Sequence, residues 1–263
     1  MSATQPRESR WERIFANIRT IGGAVLLAIS IRIMLFEAFE IEGPSMEPTL
    51  LDGDRVVVAK FMYGLFLPFM DDAVLNWGTP NPGDIVILRS PERGQEGVDI
   101  VKRVIGTPGD TIEVKTMLFD CGNGSLSTYD RVFRNGEELA TETIGACAQS
   151  QKPGMFPSDE GACTCQTIRE TLDGRPHLTS NSFKHRRYGG VEPSDEPIRV
   201  LGPHTVEADN VFVLGDHRDA SNDSRSEALG SIPLRRIKGR ALWTYWSNGY
   251  DGVRWQRLGN VIR

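Results

Sequence analysis

Short apolar runs separated by turn residues are the feature of this sequence that most restricts its fold. After residue 40 these runs have the length of single strands, and many of them follow turns that contain glycine, aspartate or proline. The clearest runs lie at 55–60, 84–88, 99–105, 111–114, 211–214 and 241–246. No long amphipathic helix pattern lies among them. The sequence therefore predicts a mostly β fold with an antiparallel β architecture.

The N-terminal region is different because residues 20–31 carry no charge, with Arg19 and Arg32 on either side. A bilayer span needs about 20 apolar residues. Arginine side chains can extend their charged heads to the interface, so residues 14–36 can just span. A cleaved secretory signal and a buried core helix are the alternatives. We expect a transmembrane anchor at residues 18–36.

The charges in front of this segment predict its orientation. Four arginines precede or open it, namely Arg7, Arg10, Arg13 and Arg19. Positive residues stay on the cytoplasmic side of a membrane. We therefore expect residues 1–17 in the cytoplasm, a single pass through the membrane, and the remaining chain on the outer side.

The composition of the remaining chain predicts two β regions. Residues 37–114 and 206–263 contain the clearest apolar runs and are expected to form one β domain. Residues 115–205 contain all four cysteines and few apolar runs, and we expect them to form a smaller inserted β subdomain with long loops. Within it, 132–137 and 170–175 have the turn dipeptides of hairpins.

The cysteines and the net charge limit the partners. An oxidising compartment favours disulfides among Cys121, Cys147, Cys163 and Cys165, although free thiols are the alternative and the pairing is open. The spacing does not fit a zinc site, and we expect no metal and no cofactor. A net charge of -5 gives no reason to expect nucleic-acid binding.

Three polar segments are candidates for chemistry. Ser45 lies between Pro44 and Pro48, which hold the backbone rigid and out of a regular strand. Lys102 lies in an apolar strand, and its neighbours on the same face are Ile100 and Val104. Desolvation there would lower its pKa and make it a base. The third segment, 215–225, follows an apolar strand and is dense in Asp, Ser and Arg. Each segment alone also fits an ordinary turn, a strand lysine or a structural loop.

Together the segments GPSMEPTL (43–50), KRVIGTPGD (102–110) and GDHRDASNDSR (215–225) resemble the bacterial type I signal peptidases. The resemblance covers the anchor and about 36–114 and 206–247, and it implies a membrane-bound serine endopeptidase that removes signal peptides from exported precursors. It also implies that the membrane is the inner (plasma) membrane and that the catalytic domain lies on its periplasmic side. It implies that Ser45 is the nucleophile and Lys102 the general base. It implies as well that Ser221 orients Lys102, and that Asp223 with Arg225 and Asp216 with Arg103 form ion pairs that hold the site together. It also implies that substrate pockets are shaped by Ile41, Gly43, Met46, Leu50 and Val101.

Two positions depart from the pattern of the family. Gly43 stands where many members have a hydroxyl residue that helps to bind the oxyanion, and His217 stands where Asn is usual. The alternatives are another Ser–Lys peptidase such as a self-cleaving repressor, an inactive membrane-tethered β module, and a metal-dependent hydrolase. The lipid bilayer and signal peptides are the expected partners.

Overall fold

The computed structural model describes residues 10–67, 70–120, 126–147, 165–181 and 196–263. Within these ranges the chain forms one long helix and a set of mostly antiparallel strands. The helix α1 is Arg10–Leu35, and the strands are β1 Phe36–Glu40, β2 Asp54–Ala59, β3 Gly64–Leu65, β4 Leu75–Asn76, β5 Ile85–Arg89, β6 Asp99–Gly106, β7 Thr111–Asp120, β8 Leu126–Arg134, β9 Glu137–Glu138, β10 Ala140–Ala146, β11 Gln166–Leu172, β12 Arg175–Asn181, β13 Arg199–Thr205, β14 Asn210–Leu214, β15 Ile232–Pro233, β16 Ile237–Gly249 and β17 Gly252–Val253. The predicted mostly β fold is confirmed.

The main sheet has the order β1-β2-β16-β5-β6-β14-β15, and β17 pairs with β16. Both faces of β5 and most of β6 are buried, so β5 is a continuous apolar run in the sequence and β6 is apolar on both sides of Lys102 and Arg103. Each predicted run agrees with a strand to within a few residues, except that β7 and β16 extend well beyond 111–114 and 241–246. Polar residues such as Lys115 and Arg240 hide these extensions from a search for apolar runs. In a strand with one solvent-facing side, apolar and polar residues alternate instead of forming a continuous run.

Two smaller sheets, β13-β7-β8-β9 and β10-β11-β12, contain the remaining long strands. Both predicted hairpins are present. Their turns have positive φ at Asn135 and Gly136 and at Asp173 and Gly174, as tight hairpin turns require. The boundary expected at 114–115 falls inside β7.

One disulfide joins Cys147 to Cys165 and links the end of β10 to the start of β11. This confirms that the chain forms at least one disulfide. Cys121 and Cys163 lie outside the described residues.

The N-terminal segment forms the 26-residue helix α1, and β1 follows directly. Helix α1 starts before the expected anchor and ends one residue short of it. Within the described ranges, no helix combines the length and the apolar character that crossing a bilayer requires.

Candidate active site

Ser45 lies in a tight turn that joins β1 to β2. The Glu47 N–H donates to the Pro44 carbonyl at 2.9 Å, and the Leu50 N–H donates to the Met46 carbonyl at 2.9 Å. Met46 and Leu50 are fully buried in the core of the main sheet. These apolar anchors fix the turn from below, so Ser45 is held at its partly exposed surface.

Lys102 reaches this turn from β6. Its Nζ lies 3.2 Å from Ser45 Oγ and donates to the Val101 carbonyl at 2.9 Å. The Lys102 side chain is only 4% exposed. The structure therefore brings together two residues that are 57 positions apart in the sequence, at hydrogen-bond distance.

The surroundings of Lys102 weaken its hold on a proton. Burial lowers the pKa of Lys102 from 10.5 to about 8, because a charged ammonium loses its hydration there. Asp223 and Asp216 act in the opposite direction, and Arg225 again lowers the pKa. A substantial fraction of Lys102 is therefore neutral in mildly alkaline solution.

A buried ion pair supports the turn from the 215–225 segment. Arg103 Nε and Nη2 donate to the two carboxylate oxygens of Asp216 at 2.8 and 2.7 Å. Thr49 Oγ1 donates to the same carboxylate at 2.5 Å. Burial raises the pKa of Asp216, but Arg103 more than offsets this effect and holds it below the usual range. The predicted pair is present, and it also holds the Ser45 turn through Thr49.

The second predicted ion pair, Asp223 with Arg225, is also present. Arg225 Nε and Nη2 donate to Asp223 at 2.8 and 2.7 Å, and the Gly215 N–H donates to Asp223 at 2.9 Å. Arg225 Nη1 continues to Asp130 of β8 at 2.6 Å. The loop beside Lys102 is therefore connected to the sheet of β7 and β8.

The role expected for Ser221, to orient Lys102, stays a prediction. Its Oγ is buried, and in the part of the chain that the structure describes no hydrogen bond joins it to Lys102. Ser221 instead packs against Gly215, where an added Cβ would lie 2.2 Å from Ser221 Oγ and 2.5 Å from the Ser45 carbonyl oxygen. Only glycine lets the two loops approach this closely.

The two departures from the family pattern have clear positions. Gly43 has φ +81, a left-handed conformation that favours glycine, and its N–H donates to Asp52 at 2.6 Å. His217 is fully buried, its N–H donates to the Ser45 carbonyl at 3.1 Å, and its ring lies 3.5 Å from Asp219.

The residues expected to shape the substrate pockets mostly lie in the core. Ile41, Met46, Leu50 and Val101 belong to one buried apolar cluster with residues of β2 and β5. They support the surface around Ser45 from behind, and their role in substrate binding stays a prediction.

Sequence reasoning missed several supporting residues. Thr49 and Gly215 lie inside segments that the sequence singled out, but nothing local assigns them a partner. Glu170 of β11 accepts a hydrogen bond from Arg218 at 2.6 Å and lies 3.1 Å from His177, and all three are buried. Burial raises the pKa of Glu170, but Arg218 and His177 more than offset it and hold it at about 2. This contact joins residues 48 positions apart, which no sequence motif reports.

The sequence of this chain is similar to those of known signal peptidases. The chain matches the family described as "Signal peptidase, peptidase S26" over residues 14–246. It is 32% identical over 232 residues to signal peptidase I of Pseudomonas aeruginosa, covering 84% of this chain and 69% of that protein. The corresponding protein of Rickettsia bellii (strain OSU 85-389) is 31% identical over 232 residues, with 85% and 70% covered. A solved structure of a signal peptidase I from Enterococcus faecalis has 20% identity and a TM-score of 0.28, and covers 62% of this chain and 97% of its own.

Proposed function

This chain belongs to the signal peptidases of the peptidase S26 family, and on that premise we propose that Ser45 and Lys102 carry out its reaction. It is a serine endopeptidase that removes signal peptides from exported precursor proteins. The observation that carries the Ser–Lys proposal is the 3.2 Å approach of Lys102 Nζ to Ser45 Oγ in a buried setting.

The proposed reaction follows from this geometry. Neutral Lys102 takes the proton from Ser45 Oγ, which attacks the scissile carbonyl carbon. The tetrahedral intermediate collapses to an acyl-enzyme, and Lys102 returns its proton to the leaving amine. Lys102 then activates a water that hydrolyses the ester, so no metal takes part. The Ser45 N–H has no acceptor among the described residues, and it is the proposed donor to the oxyanion.

The substrate would bind extended beside β6. In the described residues β14 pairs with β6 only at Arg103, Val104 and Gly106. The half of β6 next to Val101 and Lys102 therefore has an open edge on that side. An extended signal peptide can add a strand at such an edge and bring its scissile bond to Ser45.

A test of the Ser–Lys proposal uses purified protein in detergent with a precursor substrate and sequencing of the new N-terminus. Ser45→Ala and Lys102→Arg should both lose cleavage while they stay folded, because arginine stays charged at any usable pH. Lys238→Arg is the matched control, since Lys238 is also buried but pairs with Glu37 and Asp99. Cleavage by Lys102→Arg at a tenth of the wild-type rate would refute the dyad.

We also propose that α1 attaches the enzyme to the lipid bilayer with residues 1–17 in the cytoplasm and the β domain on the outer, periplasmic side. The support is a set of large apolar side chains on α1 that are exposed: Trp11, Phe15, Ile18, Ile21, Val25, Leu26, Ile31 and Met34. Such side chains are stable in lipid and costly in water. Protease added outside spheroplasts should cut within 115–205 and spare residues 1–17, and the reverse pattern would invert the topology.

Residues 115–205 are proposed to form an inserted subdomain that supports the site. Glu170 neutralises the buried Arg218 of the 215–225 segment. Glu170→Ala would leave a buried, unpaired guanidinium, which costs about 3–5 kcal/mol. Urea unfolding of this variant should give a clearly lower midpoint, and an unchanged midpoint would argue against a supporting role.

A further inference from the structure

Residues 254–263 contact the Ser45 turn independently of the 215–225 segment. Arg257 Nη2 donates to the Thr49 carbonyl at 2.9 Å. Its Nε and Nη2 also donate to the two carboxylate oxygens of Asp54, at 3.0 and 2.5 Å. One guanidinium therefore joins the middle of the turn to the first residue of β2.

Asp54 is a rigid partner for this contact. Its side chain is fully buried, and it accepts hydrogen bonds from the Leu51 N–H at 2.9 Å and from Ser247 Oγ at 2.6 Å. Because Ser247 lies in β16 of the main sheet, Asp54 cannot shift without disturbing two strands. Arg257 is thereby fixed at one end and holds the Thr49 carbonyl at the other.

Two further contacts of the same segment act on the turn. Arg254 Nη1 donates to the Asp52 carbonyl at 2.9 Å, and the Asp52 side chain accepts from the Gly43 N–H at 2.6 Å. Ile262 packs in the same buried cluster as Met46 and Leu50. Residues 254–263 thus contact the turn at its end, in its middle and through its apolar anchors.

We propose that Arg257 is a positioning residue for the nucleophile, which holds the Ser45 turn at the distance from Lys102 that proton transfer needs. The proposal rests on the proposed role of Ser45. Lys102 lies in β6, and no contact between Arg257 and Lys102 is present among the described residues. Loss of Arg257 is therefore expected to move Ser45 and to leave Lys102 in place. A displacement of about 1 Å between reacting groups lowers a rate by up to about 100-fold.

The test measures single-turnover cleavage of a precursor peptide by full-length protein in detergent. Arg257→Ala should lower the cleavage rate constant about tenfold or more while peptide affinity changes less than about twofold. The rate constant of Arg257→Lys should lie between those of wild type and Arg257→Ala. Lysine can reach Asp54 or the Thr49 carbonyl, but it lacks the planar fork that binds both. The midpoint of the pH–rate curve should stay in place, since the surroundings of Lys102 are intact.

The matched control is Arg134→Ala. Arg134 is similarly buried and pairs with Asp110 and Asp173, and it touches no residue of the Ser45 turn. It should lower the urea midpoint while keeping the wild-type rate constant. All rates are taken at a temperature where each variant is folded by circular dichroism. If Arg257→Ala is unfolded at every temperature, Arg257→Lys and Arg257→Gln carry the same comparison.

A wild-type rate constant in folded Arg257 variants, or a loss equal to that of Arg134→Ala, would overturn the proposal. A shifted pH midpoint would overturn it as well, since it would place the effect on Lys102. Failure of the Ser–Lys proposal is recognised separately, because Ser45→Ala would then stay active.

Discussion

Replacing Lys102 by methionine should make the protein more stable while it abolishes activity. Burial lowers the pKa of Lys102 from 10.5 to about 8, so the folded protein binds the proton less tightly than the unfolded chain. A lowered lysine pKa costs stability whenever the pH is below both values, and the cost disappears above 10.5. The shift corresponds to a cost of about 3 kcal/mol at pH 7, about 2 kcal/mol at pH 9 and less than about 0.5 kcal/mol at pH 10.5.

Lys102→Met removes the ionising group and keeps much of the side-chain volume. The assay is urea unfolding of wild type and variant in detergent at pH 7, 8, 9 and 10. The stability gain of the variant should shrink by about 1 kcal/mol between pH 7 and 9. The loss of the hydrogen bonds to Ser45 and the Val101 carbonyl contributes the same amount at each pH and does not affect this difference. Lys238→Met is the control, because Lys238 is buried in ion pairs with Glu37 and Asp99 and its loss should destabilise.

A difference between Lys102→Met and wild type that stays constant from pH 7 to 10 would refute this reasoning. It would mean that Lys102 has an ordinary pKa in the folded protein. The proposal that Lys102 acts as the base would then lose its electrostatic support, although the distance to Ser45 would stand.

Three further predictions concern the pH dependence of cleavage, Gly43 and the Cys147–Cys165 disulfide. The cleavage rate of wild type should rise about tenfold per pH unit below a midpoint near 8 and level off above it, because Lys102 acts in its neutral form, and it should be unchanged by EDTA; a flat profile with chemistry limiting would contradict this. Gly43→Ala and Gly43→Ser should both slow single-turnover cleavage and cost about 1 kcal/mol in urea unfolding, since φ +81 strains any side chain; a faster Gly43→Ser would instead indicate that its hydroxyl completes the oxyanion site. Cys147→Ser should lower the stability by about 3 kcal/mol, because it opens a loop closed across 18 positions, and an unchanged urea midpoint would show that this disulfide is not needed.

The sequence predicted the parts of the fold that local pattern controls. The strands β5, β6 and β14 are buried on both faces and therefore appear as apolar runs, and the hairpin turns carry Asn-Gly and Asp-Gly pairs. The far ends of β7 and β16 were missed, because polar residues, Lys115 and Thr116 in β7 and Lys238, Arg240 and Ser247 in β16, interrupt the apolar pattern. The pairing of Cys147 with Cys165 was also out of reach, since four cysteines allow three pairings.

The residues of the candidate site that lie in segments resembling the family could be predicted from the sequence. The contacts that form where distant strands meet could not. Ser45 and Lys102 came from the resemblance, and their contact depends on the register that places β6 beside the turn. Arg257 lies outside the segments that carry the resemblance, and only the folded chain brings it to Thr49. The effect of a side chain at position 43 could not be predicted, because it depends on the sign of φ at Gly43, which the sequence does not report.

The two carboxylates near Lys102 illustrate the electrostatic problem that the site solves. If Lys102 is the base, as proposed, nearby negative charge works against its neutral form, because Asp223 and Asp216 both raise the pKa of Lys102. Each of these carboxylates is bound through both oxygens by an arginine, Arg225 or Arg103. Arg225 acts against the two carboxylates, and burial has the largest influence on the pKa of Lys102. The aspartates can therefore hold the backbone of Gly215 and the side chain of Thr49 in place without fixing a proton on the base. Arginine suits this task better than lysine, since its planar fork satisfies both oxygens and its charge does not titrate when Lys102 does.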